Sequence, residues 1–381
     1  MRTNWRTSGR TSGRISGRIS GRTSGRTSGR ANPLVSMLTA AAICAAGIIG
    51  PGTAGAQTDR ALQEKQMAEM VDTTKFKKPG PYTIGVAAGY MSNSWVVFCL
   101  QHIRYEASLH KNVKDVLVTD AAFNPAKQVS DIEDLITKGV SLIIYWPVDE
   151  KAIQPALEKA VAKGIPTVNA GGGFTYGPGT VSNAFIDQWA LGEAVARHFV
   201  KDLGGKGRIF AMLPIAGTTA AVDQLDALNT VLKENPGVQL LSAEHGDWNR
   251  GKAKQITENL LQRYPKIDGV FSPAGQMSIG VAEAFEEAGR MKAVTMSPGD
   301  EYNGWMKWVV KHKQGGAVTF PTRAGQEAMK LGLKILNGEP VPRGLVIPSE
   351  YIAPADAAKY AEMDRPDDWW ASQLPDAFKP K

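Results

Sequence analysis

Four aromatic residues stand where apolar runs of the chain end. Tyr90 and Trp95 follow 82–88 (YTIGVAA), Trp146 closes the run 141–145, and Trp248 comes after Gly246-Asp247. Such runs read as strands buried in a parallel sheet, and in open α/β sheets ligands gather outside the carboxyl ends of the strands. There an aromatic face can cover the apolar C–H face of a sugar-like ring, while neighbouring Asn, Asp and Gln read its hydroxyls. Any single tryptophan could be ordinary packing. Four aromatics at strand ends in both halves of the chain point instead to a ligand cleft. Catalytic patterns do not occur: there is no HExxH, no GxSxG and no GxxxxGK[ST]. The five histidines (102, 110, 198, 245, 312) lack ligand spacing and read as surface or satisfied core residues. The glycine clusters 171–173 and 204–207 read as turns, since neither opens a helix as GxGxxG. The expected chemistry is binding, with no catalytic residues, metal or cofactor.

The elements that would position these side chains are clearest in 123–170. Asn124-Pro125 opens a helix, since proline suits its first turn. Val129, Ile132, Leu135 and Ile136 recur at helical spacing and leave the charges on the other face. Gly139 ends that helix, and the apolar run to Tyr145 is a buried strand that Pro147 stops. Asp149 is placed to cap a second helix to Ala162, and Gly164-Ile165-Pro166 leads into a strand over 167–170. The same alternation precedes this stretch from Tyr82 and returns from Gln188 to Leu336. Strands are expected at 181–186, carrying the chain towards a second lobe, and at 345–352, and a short amphipathic helix is expected at 57–71. The tail 364–381 places Trp369 and Trp370 among prolines, as a strap over a lobe surface. The fold class is α/β, doubly wound around parallel sheets.

A chain of 381 residues can bury a large core and reads as two domains. Its net charge of +7 suggests nucleic acid until the charges are located. Residues 1–56 hold eight arginines and no Lys, Asp or Glu; of 44 basic and 37 acidic side chains in all, 36 and 37 remain beyond them. The folded part therefore lacks a basic footprint for DNA or RNA. Residues 6–30 repeat RTSG or RISG, which cannot build a packed core. The apolar run 34–49 is 16 residues, short for a membrane span, and Ala54-Gly55-Ala56 fits signal peptidase. The expectation is export with cleavage after Ala56; a retained anchor is the competing reading. Cys99 would then be the only cysteine, so no internal disulfide or CxxC site is expected.

With these motifs in hand, the chain resembles the periplasmic ribose-binding-like (type I) solute-binding proteins of ABC importers over about 82–352. The resemblance is carried by IGVAAGYMSNSW (84–95), FNPAKQVSDIEDLITKGVSLIIYWPVD (123–149) and KGIPTVNAGGG (163–173). In the second half it is carried by IAGTTAA (215–221), GDWNRGKA (246–253), GVFSPAGQMSIGVAEA (269–284) and GQEAMKLGLKILNGE (325–339). It implies two similar lobes joined by a three-stranded hinge, with crossovers near Asn183, Pro321 and Val346. The lobes would comprise 82–183 with 322–345 and 184–321 with 346–363, flanked by an extension at 57–81 and the tail. It implies that Asn93 and Trp95 line the cleft from one lobe and Trp248 from the other, with Asp300 a further candidate. The partners implied are a small-molecule ligand and an inner-membrane permease, with the protein itself monomeric. A lactose-repressor-type transcription regulator shares the fold and is the alternative, although no helix-turn-helix precedes the lobes.

The sequence departs from pentose binders of this family at the ligand. Gly171-Gly172 replaces an Asp-Arg pair, Val222 an Arg, and Ala274-Gly275 an Asn-Asp, with Gln276 next. Without those groups the charge-assisted bonds that hold a pentose cannot form. Tyr90, Asn93, Trp95, Trp146, Gln276 and Trp248 leave a neutral cleft, which suits a polyol, a deoxy or methylated sugar, or a glycoside. Volume vacated by the glycines is expected to admit something larger than a pentose.

Overall fold

A computed structural model describes residues 53–371 and 374–380. The basic repeat and nearly all of the expected signal segment lie outside the described residues. Helix α1 (Thr53–Met67) and strand β1 (Met70–Val71) open the described chain. The alternation then runs β2 (Tyr82–Ala88), α2 (Ser94–Ser108), β3 (Val113–Asp120), α3 (Pro125–Thr137), β4 (Leu142–Trp146), α4 (Glu150–Ala162), β5 (Thr167–Gly171) and β6 (Ser182–Phe185). It resumes with α5 (Gln188–Asp202), β7 (Gly207–Leu213), α6 (Thr219–Glu234), β8 (Val238–His245), α7 (Arg250–Arg263), β9 (Gly269–Phe271), α8 (Gly275–Glu287), β10 (Thr295–Met296) and α9 (Asn303–His312). Last come β11 (Ala317–Val318), α10 (Ala324–Asn337), β12 (Val341–Pro342), β13 (Gly344–Val346) and β14 (Tyr351–Ile352).

Two parallel sheets result. The first has six strands in the order β13-β6-β5-β4-β2-β3, and the second has four in the order β10-β9-β7-β8. All of β4 and β5 is buried, which explains their unbroken apolar reading. Asn124 and Asp149 cap α3 and α4: their side chains accept from Lys127 N and from Lys151 N and Ala152 N. Helix α10 returns to pack on α2 and on the first sheet.

Three segments differ from the sequence reading. The strand at 181–186 does not yet carry the chain away; β6 pairs with β5 and β13 inside the first sheet, and the chain leaves it only afterwards. The extended segment 345–352 divides into β13 in the first sheet and β14, which pairs antiparallel with β11. Pro348 lies between them and has no N–H to continue a ladder. The helix expected at 57–71 stops at Met67, because Met70–Val71 pairs with Val341–Pro342 instead.

The tail goes further than a surface strap. Trp369 and Trp370 are 6% and 4% exposed. Helix α9 begins with N–H groups that have no partner in their own helix, and the tail supplies carbonyls to two of them. Asn303 N donates to Trp369 O at 3.0 Å and Gly304 N to Asp367 O at 2.9 Å. From this anchorage on the second lobe the tail reaches the first: Trp369 meets Phe98 edge-on at 5.0 Å, and Trp370 Nε1 donates to Ser94 Oγ at 2.8 Å.

Candidate functional site: an aromatic cleft between two sheets

Each lobe brings an aromatic residue to the cleft on strained backbone. After β3, Ala122 and Phe123 have φ of 50° and 63°; after β8, Asp247 and Trp248 have φ of 55° and 51°. Side chains rarely adopt this left-handed region, and such strain concentrates where geometry serves function. The four residues occupy equivalent places, just beyond the second strand of each sheet. Phe123 stacks on Tyr90 with centroids 4.5 Å apart, and Tyr90 faces Trp248 at 6.3 Å. Three rings thus cross from one lobe to the other.

Tyr90 and Trp248 partition the interlobe space. Outside them is a cavity of about 310 Å³, lined also by Trp146, Glu150, Gly172 and the 215–218 turn. Inside is a chamber of about 50 Å³, lined by Asn93, Trp95, Gln276 and Asp300 among others. Six of the seven residues expected from sequence therefore meet at the inner chamber: Tyr90, Asn93, Trp95, Trp248, Gln276 and Asp300. Trp146 lies in the outer cavity, its Nε1 tied to Tyr90 O at 2.9 Å. Buried Gln128 holds the strand ends that carry these rings. Its Nε2 donates to Ala87 O and Trp146 O, and its Oε1 accepts from Val148 N.

The expected vacated volume is not there at two of the glycines. A Cβ on Gly171, whose φ is +111°, would lie 2.5 Å from the Trp95 ring; on Gly275 it would lie 2.6 Å from Asp300. Trp95 occupies the place that a side chain at 171 would take, and it is held there by Nε1 donating to Phe320 O at 2.8 Å. Only Gly172 opens onto free space, in the outer cavity. Val222, also named as a departure, is 51% exposed and lines neither cavity.

The polar groups are few and well held. Asn93 caps α2, accepting from Val96 N at 3.1 Å. Asp300 Oδ1 accepts from Gly275 N at 2.9 Å and Tyr302 N at 3.1 Å, yet burial pushes its carboxyl up to about 7. Near neutrality it can donate as well as accept. Glu150, at the start of α4, accepts from Thr219 Oγ1 of α6 at 2.8 and 2.9 Å, a hydrogen bond between lobes. Burial pushes its carboxyl up, against the Thr219 bond, which holds it down. Among the described residues, no group of three or more His, Cys, Asp and Glu could hold a metal ion.

Sequence reasoning missed Gln188, Gln224, Phe320 and Trp370, all of which line the inner chamber. Gln188 sits at the first position of α5, directly after the chain leaves the first sheet. That position was readable as a helix start but not as a cleft residue.

A profile of the periplasmic binding protein domain matches residues 84–340, well over half of the chain. The chain belongs to the periplasmic binding protein family. Among curated members it is similar to the ribose import binding protein RbsB of Bacillus subtilis, 30% identical over 210 residues, covering 55% of this chain and 67% of that protein. It is also similar to a xylitol-binding protein of Mycolicibacterium smegmatis, 30% identical over 176 residues, or 46% of this chain and 50% of that one. Among solved structures, an ABC transporter solute-binding protein of Bacillus halodurans with bound myo-inositol superposes with a TM-score of 0.69 at 21% identity, covering 74% of this chain and 98% of its own. This confirms the two-lobed type I fold. The family supports a solute-binding role and leaves the transcription-regulator alternative without support.

Proposed function

We propose that this periplasmic binding protein is exported, captures a small neutral polyhydroxylated molecule between its lobes and delivers it to an ABC permease. One observation carries the ligand class: a chamber walled by Trp95, Trp248 and Tyr90 also holds amide groups of Asn93 and Gln276. Aromatic faces with a few neutral hydrogen-bonding groups suit a polyol, a sugar or a glycoside. Relatives with names or bound ligands of this class (ribose, xylitol, myo-inositol) support the reading.

The mechanism follows from which lobe supplies each wall. Asn93, Trp95 and Tyr90 come from the first lobe and Trp248, Gln276 and Asp300 from the second. A ligand that touches both sets binds the closed arrangement more tightly and shifts the population towards it. Ligand pockets usually hold about 300–1,000 Å³, so a ring needs the partition of Tyr90 and Trp248 to part before it can enter. The reading moves two of the three crossovers to just past β6 and β13, keeps the third near Pro321, and takes the working protein as a monomer in the periplasm, its signal removed after Ala56. It assigns no catalysis and no nucleic-acid partner.

The test is mass spectrometry of ligand released from the purified protein, followed by calorimetry with D-ribose, D-allose, xylitol and myo-inositol. A neutral polyol or sugar is expected, with ribose weak, because its hydroxyls would lose water at roughly 1–3 kcal/mol for each left unpaired. Selection of an amino acid or another charged solute, or micromolar ribose binding, overturns the ligand assignment.

A further inference from the structure

One buried acceptor of the inner chamber has no protein partner. Gln224 is 4% exposed and lines the chamber, and its Oε1 accepts no hydrogen bond from the protein. An orphaned buried carbonyl costs free energy unless something fills it. Which end of the amide faces the chamber is fixed by a relay. Gln188 Nε2 donates to the main-chain oxygen of Gly172, which orients the Gln188 amide and turns its Oε1 towards Gln224. Gln224 Nε2 then donates to Gln188 Oε1 at 2.9 Å, and Gln224 Oε1 remains as the acceptor.

The backbone builds this arrangement on purpose-made geometry. Gln188 and Gly192 share a face of α5 one turn apart. A Cβ on Gly192 would lie 2.9 Å from Gln224 Cα. With hydrogen there instead, α5 and α6 approach closely enough for the two glutamines to meet. The relay also joins the lobes, since Gly172 follows β5 of the first sheet whereas α5 and α6 pack together on the second.

We infer that Gln224 is a specificity-determining residue: its Oε1 accepts a hydrogen bond from one hydroxyl of the bound ligand. The Gln188–Gly172 contact holds that acceptor in place only when the lobes are together. Gln188 is a positioning residue in this scheme. A hydroxyl fits the acceptor because it is a neutral donor small enough for a chamber of about 50 Å³. The inference rests on the proposed solute-binding function and names the ligand group read by one side chain.

The experiment is a cycle of protein and ligand deletions. Calorimetry with D-ribose, D-allose, xylitol and myo-inositol identifies a binder, and its monodeoxy forms are then measured against wild type and Gln224→Leu. Wild type is expected to lose about ten- to a hundredfold in affinity at one deoxy position. Gln224→Leu should bind the parent that much more weakly and lose discrimination at that position alone, keeping it elsewhere. Gln188→Leu, which frees the Gln224 amide to turn over, should blunt discrimination at the same hydroxyl. If Gln224→Leu, shown folded by circular dichroism, retains the full deoxy penalty at every position, the assignment of Gln224 is wrong and the solute-binding reading stands. If wild type binds none of the panel, the ligand class fails and the assignment fails with it.

Discussion

Tyr90 of the first lobe and Trp248 of the second face each other at 6.3 Å with 30° between their rings. They are one of the points at which the two halves of the cleft touch, and each borders both the inner chamber and the outer cavity. Closure of the lobes and shaping of the pocket are therefore one event. A ligand ring that enters must replace this contact with its own.

Replacing Trp95 or Trp248 by Ala should each weaken ligand binding by about 1–3 kcal/mol, the scale of a lost aromatic contact. Calorimetry on the ligand identified by mass spectrometry checks it, with circular dichroism to show that the variants are folded. Wild-type affinity in both folded variants would reduce these tryptophans to packing.

Adjacent glycines should respond in opposite ways. Gly171→Ala forces a Cβ into the Trp95 ring at a φ of +111° and should cost about 1–3 kcal/mol of stability together with binding. Gly172→Ala meets nothing within 4 Å and should change stability by no more than about 0.5 kcal/mol. Urea unfolding of the two variants makes the comparison, and equal losses would show that Trp95 does not fill the space beside Gly171.

Stability should carry a pH signature from Asp300. Burial raises its carboxyl from 3.8 to about 7 in the folded chain, and the adjacent Glu301 is pushed upward by its own burial and by Asp300. Between these values the folded state holds a proton that the unfolded state has released, so stability falls as pH rises through the window. Below about 4 both states are protonated, and above about 7 both have lost the Asp300 proton, so its slope vanishes at either end. Asp300→Asn should flatten the fall between pH 4.5 and 7. An unchanged slope of unfolding free energy against pH in that variant would show that Asp300 is not the group responsible.

The two tail tryptophans should separate in their effects. Trp369 packs on Phe98, whereas Trp370 lines the inner chamber and bonds Ser94. Trp369→Ala should act mainly on stability, by about 3–5 kcal/mol, while Trp370→Ala should weaken ligand binding as well. Melting curves with and without ligand distinguish them: the ligand-induced rise in Tm should survive in the first variant and shrink in the second.

The fold was legible because strands buried on both faces leave unbroken apolar runs, as in β4, and because Asn124 and Asp149 announce their helices. Aromatic residues at strand ends were legible for the same reason, since those ends are marked in the chain. Gln224 was not, because its role depends on the close crossing of α5 and α6 that Gly192 permits. The room expected at Gly171 was misjudged because an absent side chain shows in the sequence, whereas the ring of Trp95 swinging into its place does not. Trp370 was placed on a surface because its partner Ser94 lies 276 positions away.

That last separation bears on the order in which the protein can become competent. Residues 82–352 can emerge and pair their strands, yet one wall of the inner chamber arrives only with Trp370. Until then the first-turn N–H groups of Asn303 and Gly304 lack the carbonyls that later receive them. Capture of solute thus waits on a stretch of chain that follows every strand of both sheets. A nascent or clipped chain with both sheets formed would still carry an unfinished pocket.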